Sequence, residues 1–325
     1  NRYDPIAKMA TGQDFNSKLT SLETATNKIE HFKKSATAPA AIMNAVNVED
    51  NDSDYEIKLW LDPSDKTAYY YAEPEKVYLN EDSSKMFFTG TFLPGSHKDI
   101  KDLDLSNFDT SKVMTMNEMF ANMYNLTSLN LSNFDTSKVT DMGFMFAGML
   151  ILTSLNLSNF DTSKVTDMYG MFAYMHRLTS LNLSNFDTSN VTGMRGMFDG
   201  MSGLTSLDLS NFNTSNVTDM SSMFRDVSSL TSLDLSNFNT SNVTDMSDMF
   251  KLRDGYASGD QLGTIYVKND FDTTKLTNDS NMFKNRKKLR GGNGSYLADP
   301  STADKSWLRI DDPAHGRPGY FTRKP

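Results

Sequence analysis

A repeat of 26 residues constrains the fold of this chain more than any other feature of its sequence. Two series of phenylalanines step by this period without a slip, one before Asp-Thr-Ser or Asn-Thr-Ser and the other after Met. Their members are Phe108, Phe134, Phe160, Phe186, Phe212 and Phe238, and Phe120, Phe146, Phe172, Phe198, Phe224 and Phe250. A unit of this length cannot bury a core alone, so each copy must stack on its neighbours.

Each copy contains a strand pattern followed by a helix pattern. Leu129 and Leu131 alternate with Asn130, which predicts a short strand that turns Leu inward and Asn outward. Polar turn residues follow Phe134. The next apolar residues recur at the spacing of one helix face, at Met142, Met145, Phe146 and Met149. The sequence therefore predicts an α/β repeat solenoid with a parallel sheet on one face, short helices on the other, and terminal caps.

The repeat also resembles a known bacterial family. The run Leu-Thr-Ser-Leu-Asn-Leu-Ser-Asn-Phe-Asp-Thr-Ser-Lys-Val-Thr-Asp-Met that begins at Leu126, followed by Met-Phe, is similar to the BspA-like leucine-rich-repeat surface proteins of bacteria. The likeness is greatest to the Gram-positive type with 26-residue repeats, and it covers about residues 75–285. It implies a right-handed, leucine-rich-repeat-like stack. In one departure, Phe134 and its equivalents stand where many leucine-rich repeats have an asparagine ladder.

The flanks differ in pattern from the repeats. We predict an N-terminal helical segment at 1–48, a β-rich N-terminal cap at 49–100, six repeats at 101–256, and a degenerate repeat with a C-terminal cap at 257–325. Apolar residues within 5–36 are spaced as on an amphipathic helix, at Phe15, Leu19, Leu22, Thr26 and Ile29. This helix either packs on the cap, serves as a spacer or binds a partner.

Two shorter patterns describe the caps. The β-rich runs 55–61 and 67–72 are separated by Asp62-Pro63-Ser64-Asp65, which predicts a hairpin. Beyond the sixth repeat the 26-residue spacing is lost, and a degenerate copy of the repeat follows that contains Met282-Phe283. Terminal copies of a repeat are expected to be atypical because one of their faces meets solvent.

Composition excludes several classes of function. A formal net charge of −9 argues against nucleic acid as a partner, and the absence of cysteine excludes disulfides and thiolate metal sites. No apolar run is long enough to span a membrane, so we expect no membrane insertion of this fragment. Because the chain starts at Asn1 without a signal sequence, we expect a mature piece of a secreted, cell-wall anchored protein, and its oligomeric state stays open.

We find no pattern that predicts catalysis, a cofactor or a metal site. The acidic run Asp50-Asn-Asp52-Ser-Asp54 begins like a calcium loop, but Leu61 occupies the position of its last ligand, which favours a solvated linker. Asp208 and Asp234 should be neighbours on adjacent strands. Their matching environments cannot tune two carboxyls in opposite directions, as a glycosidase requires.

Stacked copies place acidic residues in rows. One row holds Asp109, Asp135, Asp161 and Asp187, which are offset in part by nearby lysines. Like charges raise one another's pKa, which predicts tighter binding of anionic ligands in mild acid.

Two sets of residues are candidates for ligand binding. The outward strand positions, Asp104 and its equivalents in the later copies, form what we call the polar row, and its candidate binding residues are Asn130, Asn156, Asn182, Asp208 and Asp234. The positions that vary between copies form what we call the varied edge: Tyr124, Phe144, Leu150, Ile151, Tyr169, Tyr174, His176 and Arg177. The varied edge is either an exposed interaction patch or a contact for the N-terminal helix or cap. The basic run 284–290 is either a contact for sulfated or sialylated glycans or a solvated loop.

The resemblance implies a cell-surface adhesin that binds host mucus glycoprotein (mucin) or an extracellular matrix protein. Multivalent contact along a repeated surface is the mechanism we expect. A passive stalk that presents another domain is the alternative, and a glycan-active enzyme is a third and weaker one.

Overall fold

The chain divides into two units, Asn1–Phe160 and Asp161–Pro325. The computed structural model describes residues 3–90 and 97–325; residues 1–2 of the predicted helical segment and 91–96 of the predicted cap lie outside the described residues. Regular structure in the described part is mostly strand, with eleven short strands in three sheets, one α-helix and five short 3-10 helices. Six of the eight strand pairings are parallel, so parallel pairing predominates.

The first unit contains two sheets, one helix and the first repeats. Its elements are β1 (Ala7–Lys8), α1 (Gly12–Ser21), β2 (His31–Lys34), a 3-10 helix (Ala41–Met43), β3 (Val46–Asn47), β4 (Lys58–Asp62), β5 (Thr67–Tyr71), β6 (Val77–Tyr78), β7 (Asp102–Leu103) and β8 (Phe108–Asp109). The sheet orders are β3-β4-β5-β2-β7 and β1-β6-β8. Strands β4 and β5 pair antiparallel, with Leu59 opposite Tyr70, which confirms the predicted hairpin.

Helix α1 is shorter than the sequence predicts. Thr11 caps its first turn by accepting a hydrogen bond from the Asp14 N–H at 3.3 Å, and the helix ends at Ser21. The Thr24 hydroxyl then accepts from the Asn27 N–H at 3.1 Å, a local turn that competes with further helix. The helix predicted across 5–36 and the helical label for 1–48 are therefore wrong in extent, since β1, β2 and β3 share this segment.

The second unit contains the later repeats and the C-terminal cap. Its elements are β9 (Ser232–Asp234), β10 (Thr264–Val267), β11 (Phe321–Arg323) and four 3-10 helices at Ala257–Gly259, Pro300–Thr302, Lys305–Trp307 and Pro313–His315. The three strands form a parallel sheet with β10 in the centre. The Phe250 N–H donates to the Met282 carbonyl at 2.8 Å, and its ring lies 5.2 Å from that of Phe283, so the degenerate copy packs on the sixth repeat.

Within each unit, consecutive repeats are joined by main-chain hydrogen bonds and stacked rings. The Phe120 N–H donates to the Met145 carbonyl, and the Phe172 N–H donates to the Met197 carbonyl, both at 3.0 Å. Phe120 stacks on Phe146 at 6.1 Å in the first unit. In the second unit each ring stacks on the next at 5.7–6.0 Å along Phe172, Phe198, Phe224 and Phe250. All these rings are buried, so the core of each unit is a column of phenylalanines flanked by methionines.

The short helices predicted on one face of the repeats are wrong. The Met-Phe stretch of each repeat consists of successive turns, because residues four apart take a positive φ. The two positions are filled by Glu118 and Asn122, Phe144 and Gly148, Gly170 and Tyr174, Gly196 and Gly200, and Ser222 and Asp226. A left-handed residue in each turn interrupts the helical hydrogen-bond series, although the apolar spacing is that of a helix.

The predicted strand of each repeat is regular in only two of the six copies, where it forms β7 and β9. In the other four copies the stretch is outside regular strands. The turn that follows it is shared by regular and irregular copies, since Asp104 and Asn130 accept from the Ser106 and Ser132 N–H groups, both at 3.0 Å. The expected lack of an asparagine ladder is also wrong. Asn133, one residue before Phe134, donates to the carbonyls of Leu105 and Phe108 at 3.0 and 2.8 Å, and Asn211 binds the preceding repeat in the same way.

Candidate functional site

A groove of about 690 Å³ opens on the second unit between the fourth and fifth repeats. It is lined by residues 180–184 of one repeat and by 206–208, Ser210 and Asn211 of the next. Two predicted binding residues, Asn182 and Asp208, therefore lie together in one concavity, and both are exposed. The other lining side chains are serine, leucine and asparagine, so the surface offers hydroxyl and amide groups above apolar walls.

One oxygen of each groove residue is committed to the fold. The Asn182 Oδ1 accepts from the Ser184 N–H at 3.0 Å, and the Asp208 Oδ1 accepts from the Ser210 N–H at 2.9 Å. The Asn182 Nδ2 and the Asp208 Oδ2 remain for a ligand. Hydrogen bonds from Ser210 hold the pKa of Asp208 below its ordinary value, so the fold favours the carboxylate form of this group.

The other residues of the polar row form the same side-chain turn, but they lie outside the groove. Asn130 and Asn156 of the first unit accept from the N–H groups two residues on, at 3.0 and 2.9 Å, and both are exposed. Asp234 differs, because its Oδ2 lies 2.8 Å from the Lys324 Nζ of the C-terminal tail. Its charge is therefore neutralised within the protein. Of the three acidic residues at these positions, Asp104, Asp208 and Asp234, the groove lining contains Asp208 alone.

On the varied edge of the second unit, two tyrosines lie flat on glycines of the next repeat. A Cβ on Gly193 would lie 2.3 Å from the Tyr169 ring, and one on Gly200 would lie 2.5 Å from the Tyr174 ring. The Arg195 guanidinium lies 4.8 Å from the Tyr169 ring centroid. Both tyrosines are half-buried, so their rings fill the space that glycine leaves open.

Tyr174 also belongs to an ionic network that sequence reasoning missed. Its hydroxyl accepts from the Arg253 Nη2 at 2.7 Å and lies 3.3 Å from Asp199. Arg225 binds Asp199 with two donors, at 3.1 and 2.6 Å, and Arg253 pairs with Asp226 at 3.2 Å. The available signal was a reversal of charge at one position of successive copies, since acidic Asp199 is followed at 26-residue steps by basic Arg225 and Lys251.

Burial sets the electrostatics of this network. Asp199 is 4% exposed and Asp226 is 1% exposed. Burial raises the pKa of Asp199 above its ordinary value, although the hydrogen bond and charge of Arg225 oppose the shift. The network therefore couples the side chains of neighbouring repeats, and each of its two carboxylates is ion-paired with an arginine.

The remaining varied-edge residues do not form an exposed apolar patch. Tyr124, Phe144, Leu150 and Ile151 of the first unit are all half-buried, and Phe144 has a φ of 55°. The Nδ1 of His176 lies 3.3 Å from the Ser202 hydroxyl, whereas Arg177 is exposed. Helix α1 packs elsewhere, with Phe15 against Phe32 and Phe87. In the described part of the chain, the large apolar side chains that are exposed are Tyr3, Ile42, Met114, Tyr256 and Tyr296.

The basic run is not a uniform cationic surface. Arg286 is fully buried, with its Nη1 2.8 Å from Asp260 Oδ1 and its Nη2 3.2 Å from the Phe224 carbonyl. Arg290 lies 3.9 Å from the Tyr296 ring centroid. Lys287 and Lys288 are exposed. The interpretation of the whole run as a solvated loop is therefore wrong, because Arg286 is part of the core.

The acidic run at 50–54 is likewise not a free linker. The Lys8 Nζ lies 3.4 Å from Asp50, 3.3 Å from Asp52 and 2.8 Å from Glu81. Burial alone would lower the pKa of Lys8, but its hydrogen bond and ion pair with Glu81 raise the pKa above the ordinary value. A lysine ammonium therefore occupies the centre of the carboxylates that look like a partial calcium loop.

The expected rise of pKa along the acidic row is wrong where a shift is resolved. Hydrogen bonds from Ser163 lower the pKa of Asp161, and hydrogen bonds from Ser189 lower the pKa of Asp187. The charge of Asp161 raises the pKa of Asp187, but by less. Turn hydrogen bonds therefore outweigh stacked charge, and the basis for binding anions in mild acid is lost.

Comparison with known proteins identifies a family. A family model described as "Mycoplasma protein of unknown function, DUF285" matches residues 84–198 and 174–295, which together span more than half of the chain. No curated protein and no solved structure matches it. Among the described residues, no helix is long and apolar enough to cross a membrane. The matched segments include all six repeats, and the chain belongs to the DUF285 family.

Proposed function

We propose that this chain is a non-catalytic adhesin of a bacterial cell surface, and that it binds mucin or a matrix protein through its repeats. The observation that carries the proposal is the groove between the fourth and fifth repeats. Its volume of about 690 Å³ is within the range of ligand sites. Its hydroxyl, amide and carboxylate groups suit a polar chain such as a glycan or a peptide.

For the architecture, we propose that the repeats of each unit form a leucine-rich-repeat-like solenoid. Main-chain hydrogen bonds between copies, the phenylalanine column and the asparagine ladder support it. The right-handed sense rests on the resemblance to BspA-like proteins.

Repetition supports a multivalent mechanism. Asn130 and Asn156 of the first unit carry the same turn as Asn182 and the same exposed amide. Several weak contacts to one polymeric ligand raise the effective concentration for the next contact. We therefore place the strongest contact in the groove and weaker contacts on the polar row of the first unit.

The test is binding of the purified chain to immobilised mucin and to immobilised matrix protein. Ser206 is exposed and lines the groove, so Ser206→Tyr should fill it and weaken binding about tenfold or more. Ser128→Tyr is the matched control, because Ser128 is exposed at the equivalent position of the second repeat. It should weaken binding by about twofold or less. Equal effects of the two changes would contradict a site in the groove.

A passive stalk is the second candidate. It is favoured by the ionic network beside the varied edge, whose charged side chains pair with one another across repeats. Failure of the unmodified chain to bind either surface would support the stalk over the adhesin. Release of reducing sugar from mucin would instead support the enzyme.

A further inference from the structure

We infer that the groove selects hydroxyl-rich ligands that are uncharged or carry an amine, and that it discriminates against sulfated or sialylated ones. The inference rests on the proposed function and specifies the class of ligand for the same site. It differs from the expectation, drawn from sequence, that the repeats or the basic run bind anionic glycans.

The charge of the groove comes from one residue. Asp208 is the charged residue of its lining, which contains no lysine, arginine or histidine. The next acidic residue of the row, Asp234, is paired with Lys324 at 2.8 Å. In the described part of the chain, no such cation lies within ion-pair distance of Asp208, so this carboxylate faces the groove uncompensated. A sulfate or carboxylate on a ligand would approach a charge of the same sign.

The hydrogen-bonding atoms of the groove point to the same class of ligand. Because the Asn182 Oδ1 is taken by the Ser184 N–H, Asn182 presents its amide N–H groups. Because the Asp208 Oδ1 is taken by the Ser210 N–H, Asp208 presents an acceptor. A hydroxyl group both donates and accepts, so neighbouring sugar hydroxyls satisfy both residues. A sulfate has only acceptors and would leave Asp208 without a donor.

Asn182 and Asp208 occupy equivalent positions of adjacent repeats, 26 residues apart, so this donor and this acceptor are neighbours in the lining of the groove. Of the leucines in the lining, Leu207 is half-buried and offers apolar surface to the groove, whereas Leu181 and Leu183 are buried beneath it. Sugar rings present hydroxyl edges and C–H faces, and the groove presents complementary groups to both. An amine would add an ion pair with Asp208.

The experiment measures binding of four soluble probes to the full chain: mucin glycopeptides before and after removal of sulfate and sialic acid, a neutral N-acetylhexosamine oligosaccharide, and its de-acetylated amine form. We expect the neutral and amine probes to bind about tenfold more tightly than the anionic glycopeptides. Added salt should weaken binding of the amine probe more than that of the neutral probe.

Two Asp→Asn variants test whether the discrimination against anionic probes comes from the Asp208 Oδ2. Both keep the Oδ1 that accepts the turn hydrogen bond. Asp208→Asn retains an Oδ1 for Ser210 and should reduce the discrimination between neutral and anionic probes to about twofold. Asp234→Asn is the matched control. In the unmodified chain the Asp234 carboxylate is already paired with Lys324, so its removal should leave the discrimination between neutral and anionic probes unchanged.

The outcomes separate this inference from the proposed function. Equal or tighter binding of the anionic probes by the unmodified chain, or unchanged discrimination in Asp208→Asn, overturns the inference. If Ser206→Tyr still abolishes binding in that case, the groove remains the site and only its selectivity is wrong. Absence of binding of every probe, of mucin and of matrix protein overturns both proposals.

Discussion

In the second unit, the polar row and the ionic network beside the varied edge differ in how their polar side chains are buried and paired. On the polar row, Asn182 and Asp208 are exposed, and each uses one polar atom to close a turn. In the ionic network that Tyr174 of the varied edge joins, Asp199 and Asp226 are buried and paired with Arg225 and Arg253. Variation between copies is therefore not a reliable sign of a binding site in a stacked repeat, because neighbouring copies can vary together to form pairs.

The largest expected effect tests whether the varied edge is structural. Arg225→Ala removes both Arg225 donors from the buried Asp199 carboxylate and should destabilise the second unit by about 3 kcal/mol. Chemical denaturation of the full chain measures this. The double variant Arg225→Ala/Asp199→Ala should recover part of the loss, because it removes the unpaired charge. A loss below about 0.5 kcal/mol would mark the pair as a surface ion pair and weaken the comparison.

The next effect concerns the glycine beneath Tyr174. Gly200 has a φ of 75°, and a Cβ there would lie 2.5 Å from the Tyr174 ring. Gly200→Ala should therefore destabilise the chain by about 2 kcal/mol or more, from backbone strain and steric clash together. Gly255→Ala is the matched control with a φ of 91° and nothing within 4 Å of its Cβ, and it should lose only about 1 kcal/mol. Equal losses would mean that the Tyr174 ring moves aside freely.

A smaller effect of opposite sign is expected at the left-handed positions. Ser222 has a φ of 56°, and the equivalent residues Gly170 and Gly196 have 56° and 62°. Ser222→Gly should stabilise the chain by about 0.5 kcal/mol, because glycine adopts this conformation without a Cβ penalty. Ser228→Gly, at a residue without positive φ, should instead destabilise it. Thermal unfolding of both variants decides whether these turns carry strain.

The smallest effect is a pair of opposite pH dependences. The pKa of Asp199 is raised by burial, so its contribution to stability is present below pH 3.8 and is lost as the pH rises through the folded pKa. The pKa of Asp208 is lowered by Ser210, so its contribution is present above pH 3.8 and is lost as the pH falls through the folded pKa. Unfolding curves of Asp199→Asn and Asp208→Asn against the unmodified chain should therefore diverge in opposite directions. The same pH trend for both variants would contradict the opposite pKa shifts of Asp199 and Asp208.

The sequence predicts the period, the hairpin and the column of core residues because these follow from apolar spacing. It does not predict the tight turns, since residues such as Phe144 adopt a positive φ without being glycine. The pairing of Asp199 with Arg225 requires the register of one copy on the next, which no single copy contains. For the site, the sequence identifies Asn182 and Asp208 but not the groove around them, because a concavity depends on how the lining chains are placed.

Hydrogen exchange of the full chain, with and without a saturating soluble mucin glycopeptide free of sulfate and sialic acid, tests the division between the two surfaces most directly. We expect the ligand to protect main-chain N–H groups at 180–184 and 206–211, which line the groove, and to leave 169–177 unchanged. Protection confined to 169–177, with none along the groove, would contradict the assignment of binding to the polar row and structure to the varied edge.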